Sequence, residues 1–259
     1  MEVAFYTARP GGIFESSPAT AGPWSPTLQH GGPPSALLAR AIEAEPAPVP
    51  QRLARLTVEI LRPVPVAPLT IRAEITRPGR KVSLVEAVGL AEGVECLRAR
   101  GWRIEVPERP GPSLEGPAEI PSRPTVGELY AWPGAYLDGY MSAIDWRPTA
   151  GALNQLGPAD VWARSRVELV EGETTSPFCR AAIVADSGSG IALSFDLQSI
   201  HAINVDLTLT MWRDIIGEWV FMSARTVSGS VGAGIAETRL GDAEGMAGLA
   251  TQTMLVAHR

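Results

Sequence analysis

Apolar and polar positions alternate along two long stretches of this chain. In the first stretch, Leu53–Leu61, Leu69–Arg77, Val82–Leu90 and Glu95–Ile104 read as strands. In the second, Asn204–Trp212, Trp219–Val227, Gly232–Leu240 and Met246–Ala257 do the same. These segments are rich in β-branched residues, and turn signals such as Pro78-Gly79 and Gly241-Asp242 separate them. Ahead of each set of four the period changes. In PPSALLARAIEA, Leu37, Leu38 and Ile42 fall on one face at helical spacing, after Pro33 and Pro34 at first-turn positions. In SPFCRAAIVAD, Pro177 opens a second helix with Ser176 as its N-cap, and Gly188 and Gly190 are expected to end it.

The two stretches share a register. LTVEILR at Leu56–Arg62 matches LTLTMWR at Leu207–Arg213, an offset of 151 (207 minus 56). The same offset carries Glu86 onto Glu237 and Ala99 onto Ala250, which predicts an internal duplication. Between the copies lies VPERPGPSLEGPAEIPSRP, Val106–Pro124, with the proline and glycine content of an extended linker. The expected organisation is an N-terminal unit over residues 1–106, a linker over 107–124 and a C-terminal unit over 125–259. One helix followed by four or more antiparallel strands is an α+β pattern in which a sheet curls round its helix. A single such sheet leaves an unprotected edge. Two copies can pair edge to edge into one long sheet, with a cleft between the halves.

Composition narrows the function classes. The net charge is −6 and no basic stripe is present, so nucleic acid is not an expected partner. No apolar run approaches the roughly 18 residues of a membrane span. The start, MEVAFYTARPGG, lacks the basic and apolar regions of a secretory signal. Cys96 and Cys179 are far apart and form no CxxC pair, which suits buried free thiols in a reducing, cytoplasmic setting. No metal site is expected. GxSxG, Walker A and GxGxxG motifs are all missing.

LQHGGPPSALLARA near residue 30, RPGRKVSLVEA near 80, VADSGSG near 186, NVDLTL near 204 and ATQTMLV near 252 occur in that order. In order and spacing the chain resembles the acyl-CoA thioesterase II-like family, in its actinobacterial-type branch, over nearly its whole length. The resemblance implies a double hot-dog fold of two tandem units. It implies hydrolysis of acyl-CoA to a carboxylic acid and CoA, with no cofactor, CoA being part of the substrate. Association of hot-dog sheets into homo-oligomers is a further implication. In that family an Asp on the second helix shares a water with a Thr and a Gln. The matching positions here are Asp186, Asn204 and Gln252, and Asn204 departs from the Thr. An amide can still donate to or orient a water.

Two segments are candidates for holding the substrate. His30, Gly31 and Gly32 form a glycine-rich entry to the first helix, where backbone N–H groups suit a carbonyl oxygen or an anion, although Pro33 and Pro34 remove two donors. Arg77, Arg80 and Lys81 cluster at one turn and are candidate ligands for CoA phosphates, or else an ordinary solvated hairpin. Offset by 151, Gln252 falls on Gly101, so one active centre per chain is expected, built mainly from the second copy. A catalytically weak acyl-CoA or lipid-binding protein is the alternative, which the Asn204 departure keeps open. A hot-dog hydratase is a third reading, but His30, His201 and His258 do not offer its His-and-acid spacing.

Overall fold

The computed structural model describes residues 3–109, 111–112, 114, 120–127, 134–151 and 155–259. The first half runs β1 (Ala4–Arg9), β2 (Ile13–Ser16), α1 (Gly32–Ala44), β3 (Gln51–Ile60), β4 (Leu69–Arg77), β5 (Val82–Ala91) and β6 (Val94–Glu105). The second half opens with α2 (Tyr140–Ala143), β7 (Ile144–Ala150), β8 (Ala159–Ser165) and β9 (Glu168–Val170). Helices α3 (Pro177–Ala185) and α4 (Gly188–Ile191) follow, then β10 (Ile200–Asn204), β11 (Asp206–Met211), β12 (Val220–Ser228), β13 (Ala233–Asp242) and β14 (Gly245–His258). No helix among the described residues is long and apolar enough to cross a membrane.

The fourteen strands of the described residues belong to one sheet, in the order β7-β8-β12-β13-β14-β11-β3-β6-β5-β4-β2-β1-β9, with β10 also on β14. The halves meet where β11 runs antiparallel to β3. Alternation along the strands turns one side chain in two toward the helices. In β5, for example, Ser83, Val85, Ala87 and Ala91 are buried. Helix α1 lies against β3, β4, β5 and β6, whereas α3 lies against β8, β11, β12 and β13. The two helices also touch each other, so one continuous core runs under both halves. Arg103 of β6 anchors the end of α1. It is buried, and it donates to the carbonyl of Ile42, one of those a helix C-terminus leaves open, and to those of Glu45 and Pro46 just past the helix.

The pattern-based strands fall close to the observed ones, and β4 has the expected bounds. Three local features depart from the expectation. Residues Asn204–Trp212 are not one strand. Asp206 turns its carboxylate onto the Thr253 N–H, and Val205 separates β10 from β11. Gly188 and Gly190 do not end the second helix. Helix α3 stops at Ala185, and the glycines lie inside the turn of α4, where a Cβ on Gly188 would stand 2.1 Å from Thr238 Oγ1. The third feature is the set of short strands β1, β2, β7, β8 and β9, which lengthen both ends of the sheet. Strand β7 carries Pro148, at a break in its register with β8, and it ends the strand order, as suits a residue without a ladder donor.

The expected linker lies partly outside the described residues. Its described end docks on the second half, with Trp162 Nε1 donating to Pro121 O at 2.9 Å and Arg147 to Pro124 O at 2.9 Å. Cys96 and Cys179 are both free and buried.

Candidate active site

Helix α3 begins as the sequence predicts. The Ser176 hydroxyl accepts from Cys179 N–H at 3.1 Å, and Pro177 fills the first helical position. Nine residues later the helix is complete and Asp186 is its C-cap. That places a carboxylate where the end of α3 meets the start of α1. The approach is close enough to require glycines. A Cβ on Gly32 would lie 2.0 Å from Ile183 O, and one on Gly31 would lie 2.7 Å from Asp186 Oδ2.

Two amides grip the Asp186 carboxylate on one side. Asn204 Nδ2 donates to Oδ1 at 2.8 Å and Gln252 Nε2 donates to the same oxygen at 3.0 Å. Gln252 also donates to Asp186 O at 2.9 Å, and its Oε1 accepts from Ser189 N–H at 2.9 Å, which fixes its amide orientation. Both hydrogens of Asn204 Nδ2 are likewise engaged, the second by Asp206 O at 3.2 Å. Oδ1 is thus held from the β10 and β14 sides. Oδ2 receives no hydrogen-bond donor among the described residues, and it faces Gly31 and His30.

His30 Nδ1 lies 3.4 Å from Asp186 Oδ2, but this is not an ion pair. Nδ1 accepts the Gly32 N–H at 3.0 Å, so it carries a lone pair and the proton sits on Nε2. Burial agrees with this assignment. It lowers the imidazole pKa, against the opposing pull of the Asp186 charge. The ring stacks on Tyr140, with centroids 3.7 Å apart and planes 5° from parallel. Tyr140 is itself pinned. Its hydroxyl donates to Ile183 O at 2.8 Å and lies 2.8 Å from Ser187 Oγ, and burial keeps the phenol protonated.

The start of α1 has a short donor inventory. Gly32 N–H goes to His30, Pro33 and Pro34 have none, and Ser35 N–H bonds Gly31 O at 3.1 Å. Gly31 N–H takes no acceptor among the described residues. It is the one amide of that helix start left for a ligand.

A cavity of about 520 Å³ opens onto these groups. His30, Gly31, Asp186 and Asn204 line it, together with apolar side chains that include Leu97, Met141, Trp146 and Ile191. Gln252 is fully buried behind Asp186 and does not line it. Asp186, Asn204, Gln252, His30, Gly31 and Gly32 are therefore brought together. Arg77, Arg80 and Lys81 are not part of this lining. They sit at the β4–β5 turn, where Arg77 donates to Val82 O at 3.0 Å and Arg80 Nε lies 4.0 Å from Glu105.

The sequence profile of the acyl-CoA thioesterase N-terminal domain matches residues 20–104, and that of the C-terminal domain matches residues 115–256. The chain belongs to the acyl-CoA thioesterase family. It is a thioester hydrolase, with a hot-dog fold. Among solved structures, a protein assigned as a thioesterase II from Thermobifida fusca superposes with a TM-score of 0.77 at 16% identity, covering 98% of this chain and 96% of the other. A hot-dog protein from Alicyclobacillus acidocaldarius gives 0.76 at 17% identity, over 98% and 97%. An acyl-CoA thioesterase II from Mycobacterium marinum gives 0.71 at 15% identity, over 96% and 92%. No curated protein matches. The enzyme's Tyr140, Met141 and Trp146 have no signal in the sequence, because they reach the site only through tertiary packing. Gly31 did have one, in the HGG entry to α1.

Proposed function

We propose that this thioesterase hydrolyses acyl-CoA with a water held on Asp186 Oδ2, in one centre per chain. The observation that carries the reading is the split carboxylate. Oδ1 accepts from two amides, while Oδ2 has no donor among the described residues, and Asp186 lines the cavity together with Gly31. Water on Oδ2 attacks the thioester carbonyl carbon and passes its proton to Asp186. The carbonyl oxygen becomes an oxyanion, for which Gly31 N–H and His30 Nε2–H are our assigned donors. Collapse breaks the C–S bond, and the CoA thiolate leaves with the proton from Asp186 Oδ2. The acid product retains the water oxygen. General-base assistance of this kind is worth about 10²–10⁴ in rate.

In this scheme Asn204 and Gln252 are positioning residues. Their amide hydrogens are spent on the Asp186 carboxylate and on the Asp186 and Asp206 carbonyls, so they aim the carboxylate and do not donate to the water. We read the architecture as two tandem hot-dog units, with α1 and α3 as their central helices and the break between units in the 107–124 segment. The cavity, lined from both halves, is the substrate cleft. Cytoplasmic residence and homo-oligomers formed through the sheets complete the reading.

A second reading, an acyl-CoA or lipid-binding protein with weak turnover, is supported by Asn204, which presents no hydroxyl. Release of free thiol from a panel of acyl-CoAs distinguishes the two. Turnover supports the enzyme proposed here. Saturable binding without thiol release supports the binding protein. Loss of enoyl-CoA absorbance without thiol release would point to a hydratase.

A further inference from the structure

The duplication supplies a comparison between two arginines. Arg62 follows β3 and Arg213 follows β11, at the same place in each copy. Both donate to the equivalent carbonyl across the turn. Arg62 Nη1 reaches Glu95 O at 2.9 Å, and Arg213 Nε reaches Met246 O at 3.1 Å. From there they diverge. Arg213 is neutralised by the buried carboxylate of Asp242, at 2.6 and 2.9 Å. The position equivalent to Asp242 in the first copy is Ala91, since 242 minus 151 is 91. Arg62 has no carboxylate partner among the described residues. Its side chain is exposed and lines the cavity.

Two further basic side chains stand on the same lining. His201 of β10 and Arg259 are both exposed, and the backbone N–H of Arg259 is tied to Ser199 O at 3.0 Å. The one acidic residue of the lining is Asp186, at its buried end. A chain of net charge −6 thus places no Asp or Glu side chain at the outer lining of the cavity and supplies it with a guanidinium group from each copy, Arg62 and Arg259. Such an arrangement selects for an anion at the outer end and an apolar group further in.

We infer that Arg62, supported by His201 and Arg259, binds the diphosphate and 3′-phosphate end of CoA, and that this rim, rather than the Arg77–Lys81 hairpin, reads the nucleotide. The inference rests on the acyl-CoA reading of the site. It assigns Arg62 to substrate binding, with no part in the bond-breaking step. Acyl groups carried on pantetheine alone should bypass it.

The test is titration of CoA and of pantetheine into the full chain, for wild type, R62A, R259A and R80A, at low and high salt. The same variants are assayed with an acyl-CoA and the matching acyl-pantetheine. Loss of a charge-assisted contact predicts about tenfold or greater weakening of CoA binding in R62A. R259A should weaken it less, and the salt dependence should flatten in both. Pantetheine binding and the KM for acyl-pantetheine should stay as in wild type, and R80A should behave as wild type throughout. R62A binding CoA normally would overturn the inference. So would equal loss of CoA and pantetheine, a CoA defect confined to R80A, or no CoA binding by wild type. Normal CoA binding by wild type without thiol release would count against hydrolysis and leave the rim assignment standing.

Discussion

Thr57 and Thr208 face each other across the β3–β11 seam, their hydroxyl oxygens 3.3 Å apart, and they are 151 residues apart in the chain. That number is also the offset between the copies. It carries β4, residues 69–77, onto β12, residues 220–228, and β5, residues 82–91, onto β13, residues 233–242. Pairing follows it too, since Glu74 opposite Glu86 becomes Arg225 opposite Glu237. In an antiparallel seam, a residue meets its own duplicate only where a local two-fold axis passes. The axis here runs through the Thr57–Thr208 pair. The halves thus meet as two subunits of an isologous dimer would, but within one chain the copies were free to diverge.

Divergence is sharpest at Gly101 and Gln252. Gln252 fills its position with three hydrogen bonds to Asp186 and Ser189. A Cβ on Gly101 would lie 2.8 Å from both Ile42 and Leu53, so the first copy packs hydrocarbon there. Q252L should leave buried polar groups unpaired and lower stability by about 1–3 kcal/mol, with a fall in kcat larger than any change in KM. G101Q should fold poorly and gain no second centre. Thermal melts and steady-state kinetics on both variants check this.

Gly31 tests the fit between α1 and Asp186. The added methyl of G31A would stand 2.7 Å from Oδ2, inside contact distance, so the carboxylate must move. Displacements near 1 Å can cost about 10²-fold in rate. We expect kcat for thiol release to drop on that scale while the circular dichroism spectrum is retained. A G31A enzyme with wild-type kcat would show that Oδ2 need not lie beside the helix start.

His30 gives a pH signature. Burial lowers its pKa in the folded protein below the 6.5 of the free side chain. Between those two values the unfolded chain binds a proton that the folded chain does not, so stability falls as pH drops through 6.5. In H30N this contribution is gone. The difference in melting temperature between wild type and H30N should shrink on acidification from neutral pH through this window. Taking the difference removes other groups, such as Glu43, whose carboxyl burial raises. A constant difference across the window would mean that His30 is not held neutral.

The strands were legible because their sides are distinct. Alternation fixed β4 outright and β5 to within one residue. The start of α3 was legible because Ser176 and Pro177 mark it. What could not be read was contact between distant segments. Nothing in the neighbourhood of Tyr140 signals a ring stacked under His30. Nor does a local pattern say that Arg62 lacks a carboxylate partner among the described residues while Arg213 is neutralised, because that difference resides in Ala91 and Asp242, at the far end of another strand. The cations at residues 77–81 form a dense local cluster in the sequence, yet none of them lines the cavity. The break at Val205 was hidden for a similar reason. It depends on where Asp206 finds an N–H, and that N–H belongs to Thr253.

The central claim is that Asp186 accepts the proton of the attacking water. D186N keeps the size of the side chain and removes that basicity. The decisive measurement is kcat/KM for thiol release from an acyl-CoA by wild type and D186N, with CoA affinity and melting temperature recorded on the same samples. The account predicts a loss of about 10²–10⁴ in D186N with CoA binding and folding preserved. A D186N enzyme that releases thiol at the wild-type rate would contradict it.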